Sequence, residues 1–163
     1  MKTTMFKSRL FASMASVAIA GTLLLSACDK KDDDIKTPNP VKYTISGDAS
    51  GAQEVPAVTT TATATLSGSY DTTAKRLIYT INWTGLSGDI TASHFHGPAA
   101  VGEEASPIQD IVIGTNGMAG AVTDTIIASD ALHTALLAGK VYYNLHTAAN
   151  PEGEIRGQVN VSQ

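Results

Sequence analysis

The chain has 163 residues, with 11 Lys plus Arg, 15 Asp plus Glu and a formal net charge of −4. That balance argues against nucleic-acid binding, which calls for a basic patch. A lone cysteine, Cys28, excludes an intrachain disulfide and a zinc cluster of several thiolates.

Residues 1–27 have the three parts of a secretory signal. Lys2, Lys7 and Arg9 form the basic start, Phe11–Leu25 the apolar run, and Leu25-Ser26-Ala27 the residues before the cut. A transmembrane helix is the competing reading, but the run is shorter than the roughly 20 residues a span needs, and small residues followed by Cys28 end it. Removal of the signal leaves residues 28–163, one ordinary domain plus a tail. Without Lys2, Lys7 and Arg9, eight basic residues stand against fifteen acidic ones, a net charge of −7. Leu25-Ser26-Ala27-Cys28 resembles a bacterial lipobox. The resemblance implies that the Cys28 sulfur takes a diacylglycerol, that the chain is cut before it, and that the new amine is acylated. Several acyl chains give stable anchoring where one does not.

Residues 29–40, DKKDDDIKTPNP, are too charged to bury apolar surface and read as a disordered tether. Asp32-Asp33-Asp34 resembles the export signal that sends some lipoproteins to the outer face of the outer membrane; a plain solvated linker is the alternative. The expected address is therefore extracytoplasmic: outer membrane or cell surface, with the membrane reached through the N-terminal lipid.

The folded domain is expected over residues 41–163. Lys42–Gly47 reads as a strand, with Tyr43 and Ile45 alternating, and Ala49–Val58 as a loop punctuated by Gly51 and Pro56. Thr59–Tyr70 is a β-branched strand with a break at Gly68. Asp71–Ala74 is of hairpin length and leads into Lys75–Leu86, which sets Leu77, Tyr79, Ile81 and Trp83 on one core-facing side. In Ile90–His96, alternation places Ile90, Ala92, His94 and His96 on one face and Thr91, Ser93 and Phe95 on the other, with Phe95 expected in the core. A loop over 99–106 leads to strands at Ile108–Ile113 and Ala119–Ala128, separated by an Asn116-Gly117 turn. Ser129–Ala138 has helical spacing in Leu132, Leu136 and Leu137, an N-cap in Ser129 and a stop at Gly139. It would cover an open end of the core, with His133 exposed or capping.

Lys140–Val161 reads as two strands around the turn Asn150-Pro151-Glu152-Gly153. Val141, Tyr143 and Leu145 alternate with Tyr142, Asn144 and His146; Ile155, Gly157 and Val159 alternate with Arg156 and Gln158. The polar side is either a solvated sheet face, common in antiparallel sheets, or a site, because His, Arg and Tyr are not the usual residues of a wet face. The whole pattern predicts an all-β fold: a Greek-key antiparallel β-sandwich or barrel of about eight strands with one short helix.

Two histidines two apart on a strand point the same way, with Cβ atoms about 7 Å apart. His94 and His96 are so placed, and His146 joins them if the strands are neighbours. Three neutral imidazoles suit copper or zinc. The alternative is that His94 and His96 are hydrogen-bonded supports of the Gly97-Pro98 turn. No Gly-x-Ser-x-Gly context and no phosphate loop is present, and Glu103, Glu104, Glu152 and Glu154 form no acid/base pair, so an enzyme is not the favoured reading.

GAQEVPAV at 51–58, GLSGDITASHFHGPA at 85–99 and YYNLHTAANPEGEIRGQV at 142–159 resemble the CHRD domain, first described in chordin. The most specific parts are Gly153–Gln158 and Asn144-x-His146-Thr147. The resemblance implies an immunoglobulin-like β-barrel shared with the copper/zinc superoxide dismutases and no settled activity. Under it, His94, His96 and His146 resemble copper ligands and Arg156 the arginine that guides the anion. No bridging histidine, no zinc loop and no cysteine pair accompany them, which leaves a mononuclear site or none. Two functions follow: a non-catalytic, lipid-anchored binding or adhesion module for a protein or glycan, or a copper- or zinc-binding domain, redox active or not. For the second, His94, His96 and His146 should share one outward face with Arg156 and Asn144 near them, and Glu54 or Gln158 should hold the rings' other nitrogens.

Overall fold

The computed structural model describes residues 41–114 and 116–163. The signal segment, Cys28 and the acidic tether lie outside them. Among the described residues there are nine strands: β1 (Lys42–Ser50), β2 (Thr63–Asp71), β3 (Arg76–Thr84), β4 (Ile90–His96), β5 (Pro107–Asp110), β6 (Gly120–Ile127), β7 (Tyr142–Thr147), β8 (Ile155–Gln158) and β9 (Asn160–Ser162). One α-helix, α1 (Asp130–Leu137), and a 3-10 turn at Gly51–Gln53 complete the set.

All pairings are antiparallel, in the order β5-β4-β7-β8-β1-β2-β3-β6, with β9 beside β1. The two layers expected from the sequence are thus halves of one curled sheet. Tyr79 of β3 and Phe95 of β4, far apart along the strand order, meet edge to face with ring centroids 5.3 Å apart. The halves are joined by the pair Ser50–Arg156. After β8 the chain crosses from one half to the other at Val159, whose N–H donates to Val141 O at 2.8 Å.

Period-2 alternation fills the space between the halves. Leu77, Tyr79, Ile81 and Trp83 are all buried, as their spacing on β3 requires. Phe95, Tyr143, Leu145 and Ile155 face them from β4, β7 and β8. Ser129 caps α1 by accepting from Leu132 N, and Gly139, at φ +65, ends it while its N–H and that of Lys140 return to Leu136 and Ala135 carbonyls. Leu132 and Leu136 enter the core; Leu137 stays 46% exposed. His133 is not simply a surface histidine, because its Nδ1 meets the buried Tyr70 hydroxyl.

Several expectations need correcting: β2 begins at Thr63 rather than Thr59, and the second strand expected within Lys140–Val161 divides into β8 and β9. β1 runs to Ser50 rather than Gly47. Gly68 does not break β2; it sits mid-strand where the backbones approach so closely that a Cβ would lie 2.1 Å from Ile78 O. β5 ends at Asp110, and Ile111 bonds back to Ser93 instead. Ile90 does not share the histidine face: the register shifts between Ile90 and Ala92, which turns Ile90 into the core.

Candidate metal centre

β4 and β7 are neighbours, and β7 and β8 are neighbours, so the outward residues form rows across the three strands. His94 pairs with Asn144 and Asn144 with Arg156; His96 pairs with Tyr142 and Tyr142 with Gln158; Ala92 pairs with His146. His94, His96, Asn144, His146 and Arg156 consequently stand on one face, opposite Phe95, Tyr143 and Ile155. One ring nitrogen from each of His94, His96 and His146 lies within 4.8 Å of the others. The rings of His94 and His146 are 5.1 Å apart, and those of His94 and His96 5.5 Å apart.

This face is mostly covered, with only His94 half-buried among the three histidines. His96, Tyr142, Asn144, His146 and Arg156 are all buried, and every residue of β7 is buried on both faces. The cover is loop 97–106, held down from the sheet. Arg156 Nη2 donates to Glu103 O at 2.6 Å and to Ala100 O at 3.4 Å. The Tyr142 hydroxyl donates to Ala105 O at 3.1 Å, and Gln158 Nε2 donates to Ala99 O at 3.1 Å. The Arg156 guanidinium lies 3.5 Å over the Tyr142 ring, against which His96 also stacks at 4.6 Å. Under the loop remains a cavity of about 250 Å³ bordered by the three histidines, Asn144, Glu54 and Glu104.

Main-chain carbonyls orient two of the rings. His96 Nδ1 donates to Ala105 O at 2.8 Å and His146 Nδ1 to Pro151 O at 2.9 Å. A carbonyl can only accept, so both Nε2 atoms carry lone pairs in the neutral rings. His94 Nδ1 is 3.2 Å from His146 Nε2, and its Nε2 is 3.9 Å from Asp110 Oδ1. Burial holds all three imidazoles below the ordinary histidine range. Mutual repulsion adds to it: His96 acts on His94, and His146 and Arg156 act on His96. The rings are neutral at neutral pH, the state in which imidazole ligates a metal.

The expected support from Glu54 and Gln158 is not how the rings are held. Gln158 donates to the carbonyls of Ala99 and of Gly139 just past α1, and Glu54 lines the cavity with Oε1 finding no partner among the described residues. Burial pushes the Glu54 carboxyl up to about 7, against the lowering effect of Arg156. Arg156 is beside the histidines, but it is 2% exposed and turned to two backbone carbonyls, the arrangement of an anchor rather than of a free anion guide.

Residues 45–159 match the family model described as the CHRD domain. The chain belongs to the CHRD domain family. No curated protein and no solved structure matches the chain. The CHRD motif at Gly153–Gln158 now has a physical account, residue by residue. A Cβ on Gly157 would lie 2.7 Å from the backbone oxygen of Asp48, so that position has no room for a side chain, while Gly153 holds φ at +134, a conformation that residues other than glycine rarely adopt. Glu154, fully buried, accepts from Thr60 Oγ1, Thr147 Oγ1, Ser87 Oγ and Ser87 N. Burial raises its carboxyl, but these donors more than offset that and hold it below the usual carboxylate range. Glu154 forms no acid/base pair, as the sequence implies, and the sequence signal that marks it is its place within the Gly153–Gln158 motif.

Proposed function

We propose that this CHRD domain is a lipid-anchored, extracytoplasmic binding module whose ligand is one copper or zinc ion, held by His94, His96 and His146. The observation that carries the reading is the convergence of three ring nitrogens within 4.8 Å, on rings whose burial keeps them neutral. A tetrahedral ion with bonds of about 2.1 Å separates its ligands by about 3.4 Å, so small ring rotations suffice. The carbonyls of Ala105 and Pro151 fix the ring tautomers in the way outer partners of metal-bound histidines do. The anchored, extracytoplasmic part of the reading rests on the sequence of residues 1–28, the basic start and apolar run followed by Leu25-Ser26-Ala27-Cys28.

Dialysis of the purified chain against Zn(II) or Cu(II), followed by metal analysis, tests it. One ion per chain is expected, with near-complete loss in His96→Ala/His146→Ala. A wild-type chain that retains no ion at micromolar metal refutes the reading. The histidines would then be a hydrogen-bonded network, and a protein or glycan would be the module's ligand.

A further inference from the structure

We infer that Asn144 supplies a fourth donor through Oδ1, so that protein groups close the centre as a three-nitrogen, one-oxygen set. The inference rests on the metal reading above and changes what the site does. Three histidines with an open position leave room for water or substrate, whereas four protein ligands describe a site that holds its ion.

The argument starts from which atoms carry hydrogens. Asn144 is 3% exposed and sits at the middle of the constellation, across the strand from His94 and two residues before His146. Its Oδ1 is 3.0 Å from His96 Nε2 and 2.9 Å from His146 Nε2. Both rings have their proton on Nδ1, committed to Ala105 O and Pro151 O, so each Nε2 presents a lone pair. An amide oxygen also presents only lone pairs. Three acceptors therefore face one another with no hydrogen between them; His94 Nδ1, whose tautomer no carbonyl fixes, lies 3.2 Å from the same His146 Nε2 and either donates to it or adds a fourth lone pair. Facing lone pairs at such distances repel unless a cation lies among them. These are also the separations of donors around a shared ion: bonds of about 2.1 Å at angles of 90° to 109° put ligand atoms about 3.0–3.4 Å apart.

A competing arrangement needs no ion. Turned through 180°, the Asn144 amide would present Nδ2 as a donor to both Nε2 atoms, and the cluster would be a satisfied polar network. Replacement by Asp separates the two accounts, because it keeps the oxygen and removes the donor.

The test is titration of the full chain with Zn(II) against a chromophoric chelator for wild type, Asn144→Asp and Asn144→Ala, with circular dichroism of each as the folding control. Paramagnetic resonance of the Cu(II) forms gives a second readout. Oxygen ligation predicts that Asn144→Ala weakens Zn(II) binding at least tenfold and alters the Cu(II) spectrum, while Asn144→Asp binds as tightly as wild type or more tightly. Should Asn144→Ala not fold, Asn144→Leu, close in volume and without a donor oxygen, takes its place. Loss of binding in Asn144→Asp, or wild-type affinity and an unchanged spectrum in Asn144→Ala, overturns the assignment while the three-histidine site stands. Failure of the wild type to bind overturns the site itself, and this inference with it.

Discussion

The two halves of the sheet obey the same alternation and end in different chemistry. In the half β1-β2-β3-β6, the register lines up Ser46, Ser67, Thr80 and Thr123 in one row on the outer face. Those residues are exposed or half-buried, and among the described residues the one side-chain hydrogen bond of the row joins the Thr80 and Thr123 hydroxyls at 2.8 Å. In the half β4-β7-β8, the equivalent outer row is His94, Asn144 and Arg156, and it lies under loop 97–106. The strand pattern alone does not distinguish a wet face from a site. The difference is a covering loop, together with polar side chains able to bond it and one another. Burying a polar face is costly unless its groups are partnered; here Arg156, Tyr142 and Gln158 donate to the covering loop, whereas Glu54 Oε1 is left without a partner and the Asn144–histidine cluster without a hydrogen between its acceptors.

If the inner faces are equivalent, as the shared core implies, removing a large core side chain from either half should have the same large effect. Trp83→Ala in one half and Phe95→Ala in the other are each expected to cost about 3–5 kcal/mol, measured by denaturant unfolding. A clear inequality would break the symmetry of the inner faces.

Glu154→Gln comes next. It removes a carboxylate that joins Thr60, Ser87 and Thr147, and the expected cost at neutral pH is about 1.5–3 kcal/mol. The Glu154 carboxyl is held below its ordinary value, so the ionised form favours the fold. Its contribution is complete above the unfolded value near 4.5 and is lost as the pH falls through the folded value. In unfolding curves between pH 7 and pH 3, the stability gap between wild type and Glu154→Gln should therefore be constant near neutral pH and narrow progressively as the pH falls below about 4.5. A gap that stays constant with pH would contradict a charged Glu154.

Arg156→Ala should loosen loop 97–106 and with it the Ala105 carbonyl that orients His96. The expected loss in Zn(II) affinity is about 10- to 100-fold, without removal of a ligand. Ser67→Ala, on the uncovered row, should change stability by no more than about 0.5 kcal/mol and leave metal binding untouched. A large effect there would mean that the outer face of the first half is not the bland surface its exposure suggests.

Much of this was legible in the sequence because parity in a strand is strict. His94 and His96 opposite Phe95, His146 opposite Tyr143 and Leu145, and Arg156 opposite Ile155 follow from counting by two. The adjacency of β4 and β7 does not, since it depends on a non-local pairing across some fifty residues. The cover was hidden as well: loop 97–106 has no periodicity, and its contribution is made by the carbonyls of Ala99, Ala100, Glu103 and Ala105, which leave no mark on residue type. For the same reason Glu54 and Gln158 were natural guesses for partners that turned out to be Ala105 O and Pro151 O. The reversal at Ile90 was missed because a bulge breaks parity without a Gly or Pro to announce it.

The central claim is that the covered outer face of β4 and β7 holds one metal ion. A crystal of the full chain grown with Zn(II), measured on both sides of the zinc absorption edge, tests it most directly. The account predicts one strong anomalous peak beneath loop 97–106, about 2.0–2.1 Å from a nitrogen of each of His94, His96 and His146. Ordered histidines with no peak between them, or zinc found only on surface carboxylates, would contradict it.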